Sequence, residues 1–133
     1  PKHQYLTPAP PARTRVVVVD RPVAVQTVIN IAHPVQLKPG ASDAIAASVM
    51  NTMLGGGDAR LFNNLREKYG FTYGAYSSLS RSILVGQFNA FAQVRTAVTD
   101  SSVMQFLYEL NRIRDSIAPA TEVQGILSYL NGS

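Results

Sequence analysis

The amino-acid sequence predicts an α+β fold: a mostly antiparallel sheet with helices packed on one of its faces. Three observations predict it. First, β-branched or aromatic runs come in two pairs, residues 15–20 with 23–31 and residues 73–79 with 83–94. Second, each pair is followed by two segments whose apolar residues recur three and four positions apart, the spacing that lines one face of a helix. Third, 133 residues with 46% hydrophobic content make one domain with enough material for a sizeable core. Runs of strands beside runs of helices argue for helices segregated to one face of the sheet.

The elements follow in order. Residues 1–14 hold Pro1, Pro8, Pro10 and Pro11 with few large apolar residues, and read as an extended linker ahead of a domain over residues 15–133. His3 in this segment reads as a solvated side chain. Residues 15–20, RVVVVD, form a β-branched run suited to a buried strand. Arg21-Pro22 breaks it, because proline removes a ladder donor. Residues 23–31 predict a second strand with Val23, Val25, Thr27 and Ile29 on one face. The short connection suggests a hairpin, with direct continuation as the alternative. His33-Pro34 ends the strand. His33 reads as a strand-end histidine rather than a metal ligand, since no partner ligand stands at strand or helical spacing.

Pro39-Gly40 is a turn, and Ser42 or Asp43 caps the helix that follows. Ile45, Val49, Met53 and Leu54 make its apolar stripe, and Ala44, Ala46 and Ala47 allow close approach. Beyond Ser80, residues 83–94 predict a strand that pairs antiparallel with residues 73–79. Thr99 caps a helix carrying Val103, Phe106, Leu107, Leu110 and Ile113. Pro119 punctuates the chain. Thr121 with Gln124 fits a capping box that opens a last helix with Ile126, Leu127 and Leu130.

Between these halves lies the stretch around which the chain is organised, residues 51–80, NTMLGGGDARLFNNLREKYGFTYGAYSSLS. Gly55, Gly56 and Gly57 read as a helix-to-helix hinge that lets backbones pack closely. Leu61, Phe62, Leu65 and Tyr69 line one face of a short helix with Asp58 at its N-cap, and Gly70 stands where a left-handed residue ends it. Phe71 to Tyr76 then has strand character. Arg66 falls in the last helical turn and Tyr73 early in the strand, so a cation and a phenol flank one tight turn. On the residues alone, Arg66 snorkels along its helix or pairs with Glu67 or Asp58, and Tyr73 is a strand aromatic.

Several chemistries are excluded. A formal charge of +4 without a dense Lys/Arg run argues against nucleic-acid binding. There is no cysteine, hence no disulfide, thiolate metal site or thiol nucleophile. No apolar run approaches the ~20 residues that span a bilayer. The glycines lack the G-x-x-x-x-G-K-[ST] pattern of a phosphate loop, and Asp58 at the helix start repels phosphate. No G-x-S-x-G elbow surrounds Ser77, Ser78 or Ser80. With only His3 and His33, and no H-x-x-E-H segment, the chain has no catalytic zinc set.

The segments LGGG, RLF and LREKYGFTYGAYSS resemble the C-terminal, zinc-less domain of the pitrilysin/insulinase family of zinc peptidases. This family includes insulin-degrading enzyme, the mitochondrial processing peptidases and bacterial zinc proteases. DRPVAVQTVINIAHP, GQFNAFAQVRTAVT and TEVQGILSYLNGS extend the resemblance over residues 13–133. Between Leu54 and Arg60 the chain is about one residue shorter than the commonest family spacing.

The resemblance implies the same α+β architecture, with about a third of a full domain expected beyond Ser133 and an uncovered apolar face that favours self-association. It implies the non-catalytic half of a clamshell that encloses unfolded peptide. The zinc would lie in a catalytic H-x-x-E-H domain of the same protein or a partner subunit, with no cofactor in this chain. The sequence does not give the compartment; bacterial periplasm or cytoplasm is the expectation. It also assigns Arg66 and Tyr73 to substrate: both hold its backbone, and the tyrosine is an auxiliary contact that stabilises the developing oxyanion. The glycines 55–57 would border the peptide chamber. A non-catalytic docking subunit of a processing or assembly complex is the alternative.

Overall fold

The computed structural model describes residues 11–132, so His3 and most of the proline-rich segment lie outside the described residues. Three strands, β1 (Gln26–Val35), β2 (Thr72–Ser80) and β3 (Gly86–Arg95), form an antiparallel sheet in the order β1-β3-β2. Helix α1 (Ala44–Gly55) and the short α2 (Arg60–Phe62), which continues as a π-helical segment Asn63–Lys68, link β1 to β2. Helices α3 (Thr99–Asp115) and α4 (Ala120–Asn131) follow β3. The fold is α+β with an antiparallel sheet, as the patterning predicts.

Central strand β3 shows why. Gly86, Phe88, Ala90, Ala92 and Val94 are buried while the residues between them are mostly exposed, the two-residue period of a sheet with one covered face. Small Ala75, Ala90 and Ala92 let the helices approach closely, and Phe106 of α3 is fully buried in the same cluster as Ile29, Leu54, Leu61 and Leu65. The opposite face is open. Val28, Tyr76 and Phe91 are exposed there, with the last two rings 5.8 Å apart.

Several local expectations are corrected. Residues 15–20 form no strand, and Val16 to Val19 are 68–85% exposed. A turn closed by the Ala24 N–H on Arg21 O is made, but no hairpin follows. Strand propensity measures how a side chain suits a half-buried pleated surface, and these valines have none beneath them. Strand β1 starts at Gln26 rather than Val23, and it runs through His33-Pro34 to Val35. Proline is tolerated there because β1 is an outer strand, so a missing N–H costs no ladder bond. Strand β3 starts at Gly86, leaving Ile83, Leu84 and Val85 exposed in the connection.

The caps also differ. Asp43 occupies the N-cap of α1, and Ala59, not Asp58, that of α2, neither with a side-chain cap bond. Thr99 lies inside α3, where its hydroxyl meets Thr27 Oγ1 and Thr96 O at 2.8 Å and so ties the helix to β1. Pro119 stands at the start of α4, and Thr121 makes no capping box. Ile45, expected in the α1 stripe, is 76% exposed, and α4 has no buried residue.

Candidate functional site

The site grows from the end of α1. Gly55 is buried against strand β2, and a Cβ placed there would run into the backbone nitrogen of Ser77. A Cβ on Gly56 would lie 2.7 Å from Thr52 O, whereas Gly57 faces open space. The close approach that the glycines permit is therefore helix to strand, not helix to helix. Ser77 Oγ seals it, lying 2.9 Å from Asn51 Oδ1.

Helix α2 and its π-helical continuation come next. Leu61 and Leu65 are fully buried and anchor it. The widened turn is visible in the Tyr69 N–H, which donates to Asn64 O five residues back. Gly70 closes the helix with φ +62°, and the Gly70 and Phe71 N–H groups donate to Arg66 O and Leu65 O. Only glycine adopts that conformation at little cost.

Arg66 stands on the outer flank. Its guanidinium lies 4.7 Å from the Phe62 ring centroid, and its Nε is 3.5 Å from Glu67 Oε1. The side chain remains 46% exposed. Past the turn, the β2–β3 register shifts between Thr72 and Ala75. Thr72 supports this bulge, its hydroxyl donating to Gln93 O at 2.6 Å and accepting from the Gly74 N–H at 3.2 Å. Bulges re-aim side chains, and Tyr73 is 92% exposed at this one. Tyr73, Val28, Tyr76 and Phe91 help line a shallow hollow of about 400 Å³ on the open face of the sheet.

The other flank of α2 carries a polar network that the sequence did not reveal. Arg60, only 6% exposed along its side chain, donates from Nε and Nη2 to both oxygens of Glu122 on α4, each at 2.7 Å. That bidentate bond holds the Glu122 carboxyl below its ordinary pKa and raises the Arg60 guanidinium above its own. Asn64 Nδ2 donates to Glu109 Oε1 at 2.8 Å and to Gln105 Oε1 at 3.2 Å on α3. Buried Glu109 also accepts from Arg112 Nη1 at 3.3 Å. The only signal in the sequence was polar Arg60 and Asn64 four residues apart beside an apolar row.

Among the described residues no group of three or more His, Cys, Asp or Glu could hold an ion. His33 is exposed, its ring 5.3 Å from that of Phe88 and Nδ1 3.0 Å from Pro34 O. No helix among the described residues is long and apolar enough to cross a membrane.

A family model described as the peptidase M16 inactive domain matches residues 1–130. A solved peptidase M16 inactive domain from Pseudomonas fluorescens superposes with a TM-score of 0.78 at 27% identity, over 83% of this chain and 27% of that one. A conserved protein from Enterococcus faecalis V583 does so with a TM-score of 0.70 at 25% identity, over 83% and 26%. The chain thus spans about a quarter of the length of each solved relative. A comparison with curated proteins found no match. On the family match over nearly the whole chain and the shared fold, the chain belongs to the peptidase M16 inactive-domain family, in agreement with the resemblance carried by its glycine–helix–strand stretch.

Proposed function

We propose that this domain is the non-catalytic half of a clamshell zinc metalloendopeptidase. It encloses unfolded peptide and presents Arg66 and Tyr73 to the cleft of a separate catalytic domain. One observation carries the reading. Tyr73 is 92% exposed, next to a turn whose two flanks are held by fully buried Leu61, Leu65 and Ala75. A large aromatic side chain fixed on a rigid element and left in solvent does little for its own fold.

The chemistry suits the role. The phenol O–H and the guanidinium N–H groups are all donors, so both can hold a peptide carbonyl oxygen, and each bond strengthens as that oxygen gains charge. The hydrolytic zinc belongs to the catalytic domain, and this chain's part is to bind and orient. The test is peptide cleavage by the full-length two-domain protein carrying Tyr73→Phe or Arg66→Ala. Losing one oxyanion donor typically costs about 2.7–4 kcal/mol, roughly a hundred- to a thousandfold in turnover. Melting should barely change, since surface substitutions usually stay within about 0.5 kcal/mol. Unchanged cleavage with a lowered melting temperature would make both residues structural and leave the docking-subunit role.

A further inference from the structure

We infer that Arg60 and Glu122, with Asn64, are positioning residues for Arg66: they set the roll of α2 about its own axis from the flank opposite the substrate contact. The inference rests on the role proposed above for Arg66.

The geometry is that of a short helix with one apolar row. Leu61 and Leu65, four residues apart and fully buried, lie along a single line on the helix surface. Two anchors on one line resist translation but leave rotation about that line weakly opposed. Arg60 and Asn64 form the adjacent row on one side, and Phe62 and Arg66 the row on the other. The first row is tied to two other helices: Arg60 to Glu122 of α4 at 2.7 Å twice, and Asn64 to Glu109 and Gln105 of α3. The second row is held differently: Arg66 stacks on Phe62 and pairs with neighbouring Glu67, and Phe62 itself is half-buried without a polar group to direct it. The directional ties from this helix to other helices therefore come from the Arg60 side.

The ties are directional. A bidentate guanidinium–carboxylate pair holds angle as well as distance. Arg60 is enclosed, so it has no alternative position in water. The π-helical segment Asn63–Lys68 adds to the need, because its widened turn makes the direction of Arg66 depend on how the whole segment is seated. Helix α4, which contributes no buried residue of its own, thereby gains a specific part: its Glu122 is the far end of the clamp. Positioning matters at this scale, since a displacement of about 1 Å at a reacting group costs roughly a hundredfold.

The experiment is a double-mutant cycle in the full-length two-domain protein, measured well below every variant's melting temperature. Arg60→Met removes the clamp, Glu122→Gln weakens it with less disturbance to folding, and each is made with and without Arg66→Ala. The expected result is a tenfold to hundredfold fall in kcat/KM for Arg60→Met and a smaller one for Glu122→Gln. Both effects should vanish when Arg66 is already alanine. A merely structural clamp would slow cleavage equally in either background, and that additivity overturns the inference while leaving the role of Arg66 intact. An Arg60→Met protein that cleaves at the parent rate overturns it as well. If Arg66→Ala alone changes nothing, the substrate role of Arg66 falls, and the positioning role falls with it.

Discussion

Replacing Gly55 by alanine should destabilise the domain through one identifiable contact. The added Cβ would overlap the backbone nitrogen of Ser77 and crowd its Oγ and Cβ. Side-chain rotation cannot clear a backbone atom, and Ser77 is paired with Ala90 in the β2–β3 ladder. The helix end must therefore move away from the strand. Overpacking of this kind costs about 1–3 kcal/mol. Moving the helix end also stretches the 2.9 Å bond from Ser77 Oγ to Asn51 Oδ1, which adds about 1 kcal/mol. Stiffening the unfolded chain returns about 0.4–1 kcal/mol. The net loss is about 1–3.6 kcal/mol, or roughly 4–14 °C in melting temperature for a domain of this size. Gly57→Ala is the control, because nothing lies within 4 Å of its added Cβ and its φ is not positive. It should be neutral or slightly stabilising. Thermal melting followed by far-ultraviolet circular dichroism reads both. A Gly55→Ala protein melting within about 1 °C of the parent, or a Gly57→Ala protein equally destabilised, would refute the close-approach argument.

Glu122→Gln should lower stability at neutral pH by about 1.5 kcal/mol, the low end for a charged hydrogen bond because the Glu122 side chain is 29% exposed. The folded-state pKa of Glu122 is lowered, chiefly by its hydrogen bond from Arg60. Its contribution is therefore present above the ordinary carboxylate range and is lost as the pH falls through the folded value. The parent and the variant should converge in acid melting curves, and a gap that does not narrow as the pH falls below the ordinary carboxylate range would contradict this. Metal analysis after dialysis should find no stoichiometric zinc on the isolated chain, since a closed site needs several clustered ligands. One tight zinc per chain would refute that. Light scattering of the isolated chain should reveal self-association, driven by Val16 to Val19 and the open sheet face. A clean monomer at high concentration, without binding of dyes specific for apolar surface, would count against it.

What the sequence determined by itself is what local periodicity and local backbone geometry dictate. The pairing of β2 with β3, the buried Leu61 and Leu65, and the left-handed Gly70 all follow from residues within a few positions of one another. The same locality placed Arg66 and Tyr73 on either side of one turn, and the structure leaves both accessible. Tertiary contact decided the rest. Residues 15–20 have strand composition but no surface to pleat against, so their valines stay exposed. Thr99 and Glu122 sit in segments that read as helix caps, yet Thr99 bonds Thr27 and Glu122 holds Arg60, more than sixty residues away. A side chain takes the partner that the fold brings within reach. For Arg60 that partner stands on another helix, brought beside it by the packing of the whole fold, and no local spacing along the chain encodes that approach.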